Sequence, residues 1–67
     1  MKTRFYLTYT TPHGKVYYSG DSSRGETLWS ASTQYAEPID AGEGADKILA
    51  WARDLRVGES YGLERHA

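Results

Sequence analysis

The 67-residue chain has no cysteine and no long hydrophobic run, and both absences restrict what it can be. Without cysteine no disulfide can reinforce a small core, which is typical of proteins from reducing compartments. No apolar run approaches the roughly 20 residues that a bilayer-spanning helix needs. The basic start Met1-Lys2-Thr3-Arg4 is not followed by the apolar stretch of a signal peptide. We therefore expect a cytoplasmic protein without a membrane partner.

Groups suited to catalysis or metal binding are also scarce. The two histidines, His13 and His66, lie far apart, and no Gly-x-Ser-x-Gly motif accompanies the serines. The segment 42–44 holds two glycines of a phosphate-binding loop, but neither the third glycine nor a Walker lysine follows. The acidic residues around it lack the alternating spacing of a calcium loop. We therefore expect no enzymatic activity, no cofactor and no metal site.

The formal net charge of −1 excludes a strong overall attraction to nucleic acid or to acidic membranes. The charge is nevertheless unevenly distributed along the chain. Residues 1–15 hold the bases Lys2, Arg4 and Lys15 and no acid, whereas residues 36–46 hold four acids and no base. The pattern predicts a mildly positive hairpin and a negative helix N-terminus.

Runs rich in aromatic and β-branched residues predict four strands, at residues 5–10, 15–19, 26–31 and 61–65. Between the first two, Pro12 and Gly14 occupy the second and fourth positions of a type I turn. A polar loop at residues 20–25, with glycine at both ends, joins the second and third strands. Residues 32–39 are predicted to be irregular or a short turn, because Pro38 disfavours regular structure.

One amphipathic helix is predicted between Asp40 and Gly58. Asp40 and Glu43 have the spacing of a capping box at its start. At about 100° per residue, one arc of roughly 120° collects the apolar residues Ala45, Ile48, Leu49, Ala52 and Leu55, with Trp51 at its edge. The element order predicts a single α+β domain over residues 1–67. Its expected form is a three- or four-stranded antiparallel sheet with one helix packed on one face, β-β-β-α-β.

A single helix covers only one face of a sheet, so each strand has an inward and an outward set of side chains. The inward set predicted from alternation is Phe5, Leu7, Tyr9, Val16, Tyr18, Leu28, Tyr61 and Leu63. The outward set is Arg4, Tyr6, Thr8, Lys15, Tyr17 and Trp29, with Glu64 as a further candidate. A slip of one residue in the register of any strand would exchange its two sets.

The outward set predicts an exposed aromatic stripe of Tyr6, Tyr17 and Trp29, flanked by Arg4 and Lys15. Tyrosine and tryptophan are enriched at protein-binding hot spots, so we expect these five residues to bind a protein partner. The helix residue Trp51 is a second candidate anchor. Because the domain is small, the partner is either another protein or a second copy of the chain.

Two alternatives to protein binding remain open. The same stripe suits single-stranded nucleic acid, whose bases stack on aromatic rings while cations follow the backbone. The few basic residues and the acidic helix end argue against this alternative. In the other, Trp29 turns inward and Tyr17 lies flat on its neighbours, so that the stripe has no binding role.

The layout resembles that of small bacteriophage and prophage proteins. The residues that carry the resemblance are Tyr17-Tyr18-Ser19-Gly20, Leu28-Trp29-Ser30, Ala36, the helix from Ala45 to Leu55, and Tyr61 to Arg65. Such proteins often act as accessory factors by binding, and some block host defence systems such as CRISPR–Cas complexes. The resemblance implies a non-enzymatic protein that binds and modulates a host or phage macromolecule. It assigns no functional residues, because the group shares no catalytic motif.

Overall fold

A computed structural model describes residues 3–66, so Lys2 of the basic N-terminal set lies outside the described residues. The elements are β1 (Phe5–Thr11), β2 (Gly14–Asp21), β3 (Thr27–Ser30), α1 (Ala41–Trp51) and β4 (Ser60–Arg65), with short 3₁₀ turns at Thr33–Tyr35 and Ala52–Asp54. The strands form one antiparallel sheet in the order β3-β2-β1-β4, and α1 packs on one face of it. The predicted α+β class and β-β-β-α-β layout are confirmed.

The β1–β2 hairpin turns at Pro12 and His13. Thr11 and Gly14 are register partners, and the Thr11 hydroxyl accepts from the His13 N–H at 3.1 Å and donates to the Gly14 carbonyl at 3.2 Å. Gly14 has φ = +138°, a value that side chains with a Cβ rarely adopt. The turn fixes the pairing of Thr8 with Tyr17 and therefore places Tyr17 on the face predicted for it.

A bulge near the end of β2 overturns the predicted orientation of β3. Tyr18 pairs with Trp29 and Asp21 pairs with Thr27, so β2 has one more residue than β3 between these pairs. The extra residue shifts the alternation of β3 by one position. Trp29 therefore points to the inner face and packs against the core, whereas Leu28 is 44% exposed on the outer face. The predictions that Trp29 faces outward and Leu28 inward are both wrong.

The connector between β3 and α1 inserts between β1 and β2 where these strands separate. Ile39 exchanges two backbone hydrogen bonds with Phe5, at 2.7 and 2.9 Å, and the Glu37 N–H donates to the Tyr18 carbonyl at 2.9 Å. Ile39 is only 4% exposed. The segment predicted to be irregular thus contains a short 3₁₀ turn and supplies one of the most buried side chains.

The helix begins as predicted but is rotated from the predicted contact face. The Asp40 carboxylate accepts from the Glu43 N–H at 2.7 Å, as an N-cap does. Gly44 is the buried helix residue, and a Cβ there would lie 2.6 Å from Leu63 Cδ2. Glycine thus lets the helix approach the sheet closely. Leu49 is 75% exposed, so its predicted place in the core is wrong.

The core is small and lies between α1 and the inner face of the sheet. Its buried hydrophobic residues are Leu7, Tyr18 and Ile39, and the partly buried residues packed against them are Trp29, Ile48, Trp51 and Leu63. None of the helices between residues 3 and 66 is long and apolar enough to cross a lipid bilayer.

Candidate functional site

The outer face is the side of the sheet opposite α1, and its centre is formed by Tyr6, Thr8 and Tyr17. Alternation and register place these side chains together on β1 and β2. The rings of Tyr6 and Tyr17 meet edge to face, with centroids 5.9 Å apart. Thr8 is only 5% exposed although it lies on the face opposite α1. Tyr6 and Tyr17, called the outer aromatic pair below, therefore present a continuous ring surface.

His66 extends the outer aromatic pair at one end. Its imidazole lies edge to face on the Tyr6 ring, with centroids 5.1 Å apart. The His66 N–H donates to the Arg4 carbonyl at 2.8 Å, which holds this residue beside β1. The contact was not predicted, because His66 follows the last predicted strand, which ends at residue 65.

Lys15 and Glu64 form an ion pair on the outer face. The Lys15 ammonium also lies 5.4 Å from the centroid of the Tyr17 ring, where it interacts with the π face. The hydrogen bond to Glu64 raises the pKa of Lys15. The predicted position of Lys15 beside Tyr17 is confirmed, and its charge is balanced by the neighbouring carboxylate.

Arg4 lies apart from the outer aromatic pair, which differs from its predicted place on the outer face. Its guanidinium makes a long contact of 3.5 Å with the Pro38 carbonyl in the connector. It lines a cleft of about 240 Å³ together with Glu37, Asp40 and Glu43. Arg4 precedes β1, so the alternation of the strand does not fix the direction of its side chain.

The inner face carries a larger aromatic cluster, formed by Tyr9, Tyr18, Trp29, Trp51 and Tyr61. Trp29 is central, with its ring centroid 5.5 Å from that of Tyr9, 6.3 Å from that of Tyr18 and 5.7 Å from that of Trp51. Tyr9 and Tyr61 stack at 5.0 Å. Only Tyr18 is fully buried, so the other four rings form the half-covered end of the core.

Burial changes the acidity of the tyrosines in this inner aromatic cluster. It raises the pKa of Tyr18 to about 12, with a further contribution from the Asp21 carboxylate. Burial also raises the pKa of Tyr9, and Glu59 adds to the effect. The Glu59 pKa is lowered, first by a hydrogen bond from the Arg56 backbone N–H and then by Tyr9.

Lys47 reaches over the same inner aromatic cluster from the helix. Its ammonium lies 4.9 Å from the Tyr18 centroid and 5.7 Å from the Trp51 centroid. Trp51 therefore has its ring between Trp29, Tyr61 and the Lys47 ammonium. Trp51, the predicted second anchor, packs against the core and lies on the face opposite Tyr6 and Tyr17.

The predicted aromatic stripe is thus divided between the two faces of the sheet. The structure brings together Tyr6, Tyr17 and Lys15, and it separates Trp29, Trp51 and Arg4 from them. Between residues 3 and 66, no three acidic or histidine side chains are grouped in a way that could hold a metal ion. Comparisons with protein-family models, with curated proteins and with solved structures give no match to this chain.

Proposed function

We propose that this chain is a non-enzymatic binding protein that engages a protein partner through the outer face of its sheet. The outer aromatic pair supplies the apolar anchors, and the Lys15–Glu64 pair orients the partner. The observation that carries the proposal is the edge-to-face contact of Tyr6 and Tyr17 on the face of the sheet opposite α1. Rigid aromatic anchors with charged groups beside them are typical of protein-binding hot spots.

The surrounding charges favour a protein over single-stranded nucleic acid. Lys15 is paired with Glu64, and Arg4 lies beside the acidic residues of the connector and the helix start. A groove for nucleic acid needs cations that are free to follow a phosphate backbone. The two cations predicted to flank the aromatic residues therefore contribute little to attraction of phosphate.

The biological role we propose follows from the resemblance to small phage and prophage proteins. In this role the chain acts in the cytoplasm as an accessory factor that binds and modulates a host or phage macromolecular complex, for example a host-defence complex. A small domain with a flat aromatic face suits this role because it needs neither a cleft nor a cofactor to block a surface of its target.

A pull-down with matched variants tests the proposal. The tagged chain is incubated with bacterial lysate, with and without nuclease and at low and high salt, and the retained proteins are identified by mass spectrometry. The test variant is Tyr6→Ala with Tyr17→Ala. The control is Tyr35→Ala, which removes a tyrosine that is 65% exposed but lies in the 3₁₀ turn after β3.

We expect the unaltered chain and the Tyr35→Ala control to retain the same protein after nuclease and at high salt. The double variant should lose that protein while keeping its circular dichroism spectrum. Equal retention by the double variant would contradict a role for the outer face. Retention that disappears with nuclease or salt would identify nucleic acid as the ligand, because phosphate contacts weaken steeply with salt.

A further inference from the structure

The outer edge of β4 is unpaired. β4 bonds to β1 on one side, and no other strand of residues 3–66 lies along its second side. Two contacts of β1 show toward which neighbouring strand each β1 residue directs its backbone N–H and C=O groups. Phe5 exchanges both of its hydrogen bonds with Ile39 on the β2 side, whereas the Arg4 carbonyl accepts from His66 on the β4 side.

The backbone groups that point out from this edge follow from the alternation of antiparallel pairing. Gly62 and Glu64 face β1 and form the bonded pairs. The N–H and C=O groups of Tyr61, Leu63 and Arg65 point away from the sheet. The six residues of β4, Ser60–Arg65, include no proline and no bulge, so this edge is available for another strand.

The helix runs alongside this edge. Near the start of the helix, Gly44 is so close to Leu63 of β4 that a Cβ on it would touch the leucine. At the end of the helix, the Trp51 ring lies 5.6 Å from that of Tyr61, also on β4. The helix axis therefore follows the direction of the strands. The helix contacts both β1 and β4, so it is centred over these two strands.

An apolar flank of the helix lies on the same side as the free edge. Lys47 reaches Tyr18 on β2, which identifies the flank that faces β2. At about 100° per residue, Ala45, Leu49 and Ala52 occupy the opposite flank, which faces the outside of β4. All three are exposed, Leu49 by 75%. Unpaired backbone groups and an uncovered apolar flank thus occur together.

The distances fit a second copy of the same chain. Neighbouring strands lie about 4.8 Å apart, so a two-fold axis beside β4 would be about 2.4 Å from β4. The helix, centred between β1 and β4, would be about 4.8 Å from that axis. Two symmetry-related helices would then be about 10 Å apart, the separation of helices in contact. Adding a lone strand from another protein would leave Leu49 uncovered.

We propose that two copies of the chain associate through antiparallel pairing of their β4 strands, which forms one continuous eight-stranded sheet with the two helices side by side. In a register centred on Leu63, Tyr61 of one copy lies opposite Arg65 of the other, and Glu64 lies opposite Gly62. No like charges therefore face each other across the pair. The dimer enlarges a small core, whose buried hydrophobic side chains among residues 3–66 are Leu7, Tyr18 and Ile39. This contact leaves the outer face free and does not depend on the function proposed above.

Sedimentation equilibrium of the full chain and two matched helix variants tests this proposal. Leu49→Asp places a charge on the flank that faces the second copy. Ala50→Asp places the same charge one residue away, at an exposed position outside that flank. We expect a mass of twice 7.5 kDa for the unaltered chain and for Ala50→Asp. Leu49→Asp should raise the dissociation constant about 100-fold, because both copies lose a buried leucine.

Amide hydrogen exchange of the unaltered chain adds a readout that needs no variant. Protection of the Tyr61, Leu63 and Arg65 amides should rise with protein concentration, whereas Gly62 and Glu64 should be protected at every concentration. A monomer at all concentrations, or equal dissociation constants for the two helix variants, would overturn the proposal. Dissociation of the dimer by the Tyr17→Ala substitution would also overturn the proposal, because such a dimer would use the outer face.

Discussion

The two faces of the sheet both carry aromatic residues, but for different purposes. In the inner aromatic cluster four rings contact the central Trp29, and the five rings complete a core whose aliphatic part is small. The outer aromatic pair has two rings in contact with each other, and the Tyr6 ring also contacts His66. Tyrosine occurs in both groups, so the residue type does not decide which group a ring joins. Their difference comes from register, which decides whether a ring meets the helix side or the open side.

The bulge between Tyr18 and Asp21 is therefore the feature that assigns Trp29 to the inner face. If β2 and β3 continued in simple alternation, Trp29 would lie on the outer face and Leu28 would lie inside. The core would then exchange a large ring for a leucine, and the outer face would gain a third anchor. One extra residue in a strand thus changes both the core and the surface.

Removing one ring from each face should give the largest difference in the free energy of unfolding. We expect Trp29→Ala to lower the free energy of unfolding by about 3 kcal/mol, because the indole contacts four other rings, one of them the core residue Tyr18. Tyr17→Ala should cost only about 1 kcal/mol, since it loses one edge-to-face contact with Tyr6 and the contact with the Lys15 ammonium, both at the surface. Urea unfolding followed by circular dichroism measures both. Equal losses would contradict the difference between the two faces.

Alkaline pH should act on the inner face through Tyr18. The pKa of this tyrosine is about 12 in the folded chain against 10.0 for an unperturbed tyrosine. Its stabilising contribution is therefore complete below pH 10 and is lost as the pH rises through about 12. The loss is on the order of 2–3 kcal/mol. Unfolding midpoints measured across this range should fall less for Tyr18→Phe, and an identical fall would contradict the role of Tyr18.

The rotation of the helix predicts the smallest of the three differences in stability, between two neighbouring helix residues. Ile48→Ala should lower the free energy of unfolding by about 2 kcal/mol, because Ile48 packs against the core. Leu49→Ala should change it by less than about 0.5 kcal/mol, since that side chain is mostly exposed. Thermal unfolding at high dilution, where association does not contribute, distinguishes the two. A larger loss at Leu49 would restore the face predicted from the sequence.

Much of the fold was predictable because local patterns and tertiary structure agree there. Alternation placed Leu7, Tyr18 and Leu63 inside, and the N-cap at Asp40 located the helix start. The bulge was not predictable, since it contains Gly20, which has φ = +99° and lies against Glu37 of the connector, a residue distant in sequence. The helix rotation was missed because Gly44, which has no side chain, makes the closest approach to the sheet.

The candidate site was predictable only where the strand register was. Tyr6, Tyr17 and Lys15 lie on the well-defined β1–β2 hairpin, and they meet as expected. Trp29 depended on the third strand, and Arg4 lies before the first one. No local pattern indicated the contact of His66 with Tyr6, because it joins the two ends of the chain. Binding through these residues stays a prediction.

The position of β4 also sets an order for folding. The β1–β2 hairpin is closed by a two-residue turn, whereas β4 reaches β1 only after the chain has passed through β3, the connector and α1. Contacts between distant parts of a sequence form more slowly, because a large loop must close first. We expect β1 to have an open edge until the last strand docks. During synthesis on the ribosome, this interval is when the nascent chain is most exposed to aggregation.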